Sequence, residues 1–267
     1  MTARFRPGFS PAFGAAFGLG IVLLGQVNSA SSAEAWSDTY TSRLEALALL
    51  QSLNADLLSH DSATLTLDRW CDVHHLASPA KVVAERVKDA DKPPTPEVRQ
   101  ALAVGESDLV RYRRVRLKCG EHVLSEADNW YVPKRLTADM NTALETTDVA
   151  FGRAVQALHF QRRTVKATLL WAPLPEGWEM GTGVPPTAHS APKADAANPE
   201  GAKAAAEKAD GRRADAGTAG ALEVPGQVLQ HQAVLSTPDG TPFSMVIETY
   251  TSAVLAFPEP GPKTPPR

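Results

Sequence analysis

The stretch between residues 110 and 132 leaves this chain little freedom in how it folds. Val110 to Cys119 alternates, with Val110, Tyr112, Arg114 and Arg116 on one side and Val115, Leu117 and Cys119 on the other. Gly120-Glu121 then offers a tight turn, and Val123 to Val132 runs back as far as Pro133. A period of two, a turn and a second strand-like run together predict an antiparallel hairpin. The pattern recurs near the other end of the chain. Gln227 to Leu235 and Phe243 to Thr251 flank a turn at Pro238-Asp-Gly240.

The remaining elements can be placed around these two hairpins. Residues 37–58 carry Tyr40, Leu44, Leu47, Leu50 and Leu57 at helical spacing, with Ser37 or Asp38 as cap. Ser62 to His75 reads as a second helix, closed off by Pro79, and Lys81 to Val87 as a short Val-rich strand. Asp89 to Pro96 reads as a loop, Leu136 to Leu144 and Phe151 to Leu158 as helices, and Arg163 to Trp171 as a strand ending at a Pro-rich corner. Helices interspersed with hairpins predict an α+β domain: an antiparallel β-sheet flanked by helices.

Two segments stand outside that domain. Residues 1–35 have Arg4 and Arg6, then an apolar run from Phe13 to Leu24, then small residues up to Ala35. This is the layout of a signal peptide cleaved near Glu34 or Trp36, and it predicts a periplasmic or secreted protein. Residues 179–221 are rich in Ala, Gly, Pro, Lys and Asp and almost free of large apolar side chains, so they cannot offset their ordering entropy. They are expected to form a disordered insert, which could reach a protein partner. One domain is thus assembled from 36–178 and 222–257, and 258–267 is a loose Pro-rich tail. No segment after the leader is long and apolar enough to span a bilayer. A net charge of -3 without a basic stripe argues against a nucleic-acid partner. The two cysteines, Cys71 and Cys119, form either one disulfide in an oxidising compartment or two separate buried thiols.

Strong catalytic signatures are missing: the chain has no P-loop, Rossmann glycine string, Gly-x-Ser-x-Gly elbow or His-Glu-x-x-His. His74 and His75 are adjacent, so on a helix their rings diverge, and no metal site is expected. Arg111, Arg113, Arg114 and Arg116 crowd one strand. They form either a solvated sheet face or a clamp for carboxylate or phosphate, whose oxygens match the guanidinium fork. Glu248 lies in an otherwise apolar strand and shares a face with Val246 and Tyr250. A half-buried carboxylate there is a candidate general acid. With a two-residue turn His231 falls opposite Glu248, so a structural Glu–His pair is the other reading.

Several of these segments together resemble chorismate lyase and the wider chorismate-lyase-like fold. The resemblance is carried by Asp61-Ser-Ala-Thr64, by Tyr112 to Gly120 with its return strand to Pro133, by Thr147 to Arg153, and by the final hairpin, Val228 to Ser236 and Met245 to Tyr250. It implies an antiparallel sheet flanked by helices around a small enclosed site. It also implies removal of pyruvate from chorismate to leave 4-hydroxybenzoate, with no metal or organic cofactor. Carried over residue by residue, it makes Arg114 the substrate-carboxylate arginine and Glu248 the active-site glutamate, and places Phe151 and Gly152 against the ligand. The family's second arginine, on the return strand, is replaced here by Asn129, and the methionine of its Ser-Met-Thr segment by Ala63. Two functions follow as expectations. One is an exported lyase of this type, with Arg114 and Glu248 as its catalytic residues. The other is a non-catalytic periplasmic protein holding a small aromatic or carboxylated ligand in the same pocket, with Arg114, Phe151, Gly152, Asn129 and His231 around it.

Overall fold

A computed structural model of the chain describes residues 36–181 and 220–260. The leader, the insert from 182 to 219 and the tail beyond 260 lie outside the described residues, and so do the signal peptide and the body of the disordered stretch expected there.

Six strands form a single antiparallel sheet. They are β1 (Val82–Arg86), β2 (Arg111–Cys119), β3 (His122–Tyr131), β4 (Gln161–Leu169), β5 (Gln227–Ser236) and β6 (Pro242–Thr251), in the order β1-β2-β3-β6-β5-β4. Both predicted hairpins are present. The first pairs Arg113 with Asn129 and Val115 with Ala127, and the second pairs His231 with Glu248. β6 joins the two hairpins by pairing with β3, Ala127 opposite Glu248 and Asn129 opposite Val246. One row of side chains therefore runs across the sheet through Arg113, Asn129, Val246 and Ala233.

Helices cover one face of the sheet. α1 (Tyr40–Ser59) is capped by Thr39, whose hydroxyl accepts from the amide of Ser42, and it buries Ala46, Leu50, Leu53 and Leu57. The buried stripe differs from the expected one in its first turns, because Leu44 faces solvent and Ser42 is buried. α2 (Ala63–Val73) starts at its cap Ser62 and buries Leu67, Trp70 and Cys71 against Val115, Leu117, Val246 and Tyr250 of the sheet. α4 (Ala138–Thr146) and α5 (Phe151–Ala154) extend the cover with Met140, Leu144 and Phe151, which pack on Tyr131, Leu235 and Phe243. α5 is one turn long, where the sequence reads as a helix to Leu158. The chain leaves it through a 3-10 turn, Gln156–Leu158, and a left-handed His159.

Among the described residues, α3 (Pro96–Ala101) is the one α-helix on the opposite face, where Val98 and Leu102 meet Trp130, Val234 and Met245. The expected loop over 89–96 therefore runs into a short helix. Its signals are a Thr95 cap, Pro96 in the first turn and Glu97 behind it.

Cys71 of α2 and Cys119 at the end of β2 form a disulfide, with Cα atoms 6.2 Å apart. The edges of the expected insert and tail are also held. Ala221 bridges to Ser37, the Asp38 amide donates to Gly220 over 2.6 Å, and Glu259 accepts from the Ser37 amide and the Ser42 hydroxyl. Trp36 is buried and donates its indole N–H to the Phe257 carbonyl over 2.8 Å. No helix among the described residues is long and apolar enough to cross a membrane.

Candidate functional site

Between the sheet and its helices lies a cavity of about 40 Å³. Its floor is Arg113, Val115 and Leu117 of β2, Ala127 and Asn129 of β3, and Val246 and Glu248 of β6. Its roof is the start of α2, Asp61 to Thr64, together with Phe151 and Gly152 of α5. Phe160, Arg162 and Leu235 close the side toward β4. Ala127 is the one small side chain on that floor, and it lies directly beneath the helix ends. The roof is pulled down by the absence of a side chain at Gly152, where an added Cβ would sit 3.0 Å from the Ser62 hydroxyl. The walls are mostly apolar and the polar groups are few, which is the make-up of a small-molecule site.

Arg113 reaches this cavity from the face of β2 that also carries Val115, Leu117 and Cys119. It is 4% exposed. One terminal nitrogen donates to the Val149 carbonyl at 2.8 Å and to Thr147 at 3.4 Å. Its Nε and Nη1 have no hydrogen-bond partner. Burial lowers its pKa to about 10, the nearby Arg86 adds to that effect, and Tyr131 and Asp148 offset part of it. A guanidinium in this state is a buried cation lacking a counter-ion.

The other charged groups satisfy each other. Glu248 is bound by Arg162 of β4 at 2.6 Å, with the two side chains 8% and 3% exposed. The Tyr250 hydroxyl donates to the same carboxylate oxygen at 3.1 Å. Desolvation opposes the charge on Arg162, but Glu248 outweighs it and holds the guanidinium above its ordinary pKa. Burial and the Glu248 charge push the Tyr250 phenol well above its usual range, so it stays a donor. Arg162 is tethered at its backbone too, its amide donating to Asp61 at 2.8 Å. One oxygen of Glu248 thus accepts from both a guanidinium and a phenol.

The predicted site residues divide accordingly. Glu248, Asn129, Phe151 and Gly152 all line the cavity. Asn129 accepts from the Ser244 hydroxyl at 2.7 Å, which orients its amide. Arg114 does not line it. It projects from the opposite face of β2, donates to Glu126 at 3.2 Å and borders a polar groove with Lys92, Asp128 and Gln230. The expected convergence of Arg114 with Glu248 fails because alternation sends neighbouring side chains to opposite faces. His231 is on the covered face and directly paired with Glu248, as the hairpin register requires, but it lies behind the cavity wall. Its Nε2 contacts the side-chain amide oxygen Oδ1 of Asn54 in α1 at 2.8 Å, and its Nδ1 is buried without a partner. Burial lowers its pKa to about 4, with Glu248 acting the other way and Arg162 reinforcing burial. It is therefore a neutral support for the wall, not a ligand contact.

Two residues escaped the sequence reading. The signal for Arg113 was available, since it shares a face with the apolar side of β2. Arg162 gave none, because its partner lies two strands away and the strand was expected to begin one residue later. Elsewhere, the His74 ring stacks on Phe257 at 4.1 Å and tilts against Trp70 at 4.2 Å, so it serves as packing. Among the described residues no group of three or more His, Cys, Asp or Glu could hold a metal ion.

Comparison with known proteins adds the following. No family model matches the chain. The "Uncharacterized protein y4mC" of Sinorhizobium fredii is 49% identical over 231 residues, spanning 86% of this chain and 85% of that protein. Among solved structures, PhnF from Mycobacterium smegmatis is similar with a TM-score of 0.40 at 12% identity, over 78% of this chain and 71% of that one. The possible transcriptional regulator YydK from Bacillus subtilis gives a TM-score of 0.32 at 12% identity over 63% of this chain, which spans 57% of the YydK chain.

Proposed function

The chain belongs to the family of the Sinorhizobium fredii protein y4mC, and from its cavity we propose that it is a non-catalytic receptor for a small aromatic carboxylate. The observation that carries this reading is Arg113, a buried guanidinium with two unpartnered nitrogens in an apolar-walled space. A buried cation without a counter-ion is costly, and a carboxylate bound there removes the cost through charge-assisted hydrogen bonds. Val115, Leu117, Phe151, Phe160 and Val246 offer the apolar contact that an aromatic ring would take.

Binding is preferred to chorismate turnover on the evidence of Glu248. Elimination of pyruvate calls for help at the departing ether oxygen, and Glu248, the carboxylate that the resemblance assigns to that task, is engaged by Arg162 and Tyr250. The leader-like composition of residues 1–35 and the Cys71–Cys119 disulfide support a site of action outside the cytoplasm.

The test is a pair of measurements on one preparation. Chorismate is supplied and pyruvate followed, and thermal unfolding is recorded with and without 4-hydroxybenzoate or benzoate. The expected result is no pyruvate, a melting temperature raised by either acid, and loss of that rise in Arg113→Ala. Turnover abolished by Glu248→Gln would replace the receptor by a lyase. Melting indifferent to both acids, with no turnover, would remove the ligand reading.

A further inference from the structure

We infer that the buried Arg162–Glu248 pair sets the charge the cavity accepts, so that it takes a singly charged aromatic acid and rejects a dianion of similar size. This rests on the receptor reading above and specifies the ligand's charge class.

The inference follows from counting charges. Three ionic side chains with almost no solvent contact border the cavity: Arg113, Arg162 and Glu248. Arg162 and Glu248 neutralise each other at 2.6 Å, which leaves one positive charge, on Arg113. The remaining ionic groups nearby are on the outside. Asp61 at the mouth is exposed and its carboxylate is engaged by the Arg162 amide, and Arg86 and Asp148 near Arg113 are exposed as well. Solvent screens these outer charges much more strongly than the buried ones. A monoanion therefore brings the enclosed charge to zero. A dianion leaves one negative charge with no cation to meet it, because Arg162 is already committed and Glu248 itself repels the newcomer.

Arg162 is placed to control this. It comes from edge strand β4, crosses in front of β5 and reaches Glu248 on β6, and its backbone is fixed to the start of α2. It acts on a ligand by cancelling Glu248, so it is a specificity residue and not the anchor of the carboxylate. Removing one member of the pair should change which ligand charge is preferred, whereas removing both should change nothing in the count.

The experiment titrates the full chain calorimetrically with benzoate and with phenylphosphonate, in buffer alkaline enough to ionise the phosphonate twice. Wild type should bind benzoate at least about tenfold more tightly than phenylphosphonate. Glu248→Gln leaves two uncompensated cations, and its benzoate-to-phosphonate ratio should fall about tenfold or invert. Arg162→Gln cancels the net charge, so benzoate should weaken about tenfold with no gain for the phosphonate. The double variant Arg162→Gln/Glu248→Gln should return to the wild-type ratio, an outcome that a purely structural role for the pair would not give. A phosphonate bound by wild type as tightly as benzoate, or a ratio unmoved by Glu248→Gln, overturns the inference and leaves the receptor standing. If Glu248→Gln does not fold, the wild-type ratio and the double variant decide, and parity of the two ligands in either overturns it. Absence of benzoate binding to wild type overturns the receptor, and the inference falls with it.

Discussion

Arg113 and Arg114 are neighbours on one strand, yet they live under opposite physics. Arg113 faces the helices, is 4% exposed, and has two nitrogens without partners in an apolar cavity. Arg114 faces away from them, with a side chain 42% exposed and a carboxylate, Glu126, at 3.2 Å. Water can hydrate and screen the second arginine; it is almost excluded from the first. The same contrast holds between two ion pairs of the sheet, Arg162–Glu248 inside and Arg114–Glu126 outside. Residue type says little about what a side chain does here. The face of the sheet it occupies says most of it.

That contrast can be broken at several points, beginning with the largest effect. Arg162→Ala strands Glu248 in the interior and should cost about 3–5 kcal/mol in urea unfolding. The outer counterpart, Glu126→Ala, should cost about 1 kcal/mol or less. Equal costs would mean that burial does not separate the two faces.

The disulfide between α2 and β2 comes next. Cys71 and Cys119 are 48 residues apart, and a loop of that length corresponds to about 4 kcal/mol of denatured-state entropy. Reduction by a thiol, or Cys71→Ala/Cys119→Ala, should lower stability by an amount of that order in the same assay.

His231 gives the covered face a pH signature of its own. Its folded pKa is lowered to about 4 from an ordinary 6.5. Between those values the unfolded chain binds a proton that the folded chain refuses. Stability is therefore full above about pH 6.5 and falls as the pH drops toward 4, by about 3 kcal/mol in all. His231→Gln should flatten that limb of the stability curve. A limb of unchanged slope in the variant would assign it to other groups.

The smallest effect concerns the ligand. Arg113→Ala should weaken benzoate by about 1.5–3 kcal/mol, the worth of one charge-assisted hydrogen bond. Arg114→Ala should leave the affinity within about 0.5 kcal/mol. Loss of binding in Arg114→Ala would return that arginine to the site.

Much of this architecture could be read from local pattern. Alternation announced β2 and β3, and the Asp239-Gly240 turn announced the second hairpin; the pairing of His231 with Glu248 expected from a two-residue turn is present, but it arises from a longer loop and a register shift between Leu235 and Ser236. Phe151 and Gly152, named through the resemblance of Thr147 to Arg153, line the cavity, and a Cβ added at Gly152 would sit 3.0 Å from the Ser62 hydroxyl. The carry-over of Arg114 failed by one residue. On a strand that is the worst possible error, since it moves the side chain through the sheet. The correct choice was implicit in the apolar neighbours of Arg113, because Val115, Leu117 and Cys119 mark the side that the helices cover.

By itself, then, the sequence determined the strands, their pairing in hairpins and the two faces of each strand, all of which depend on contacts a few residues apart or on a period of two. Only the tertiary structure decided the site. The Arg162–Glu248 pair joins residues 86 positions apart across an intervening strand. The charge left over on Arg113 is defined only once the roof of α2 and α5 has shut out water. Charge compensation and solvent exclusion are properties of an enclosed volume, and no local pattern of residues encodes that volume.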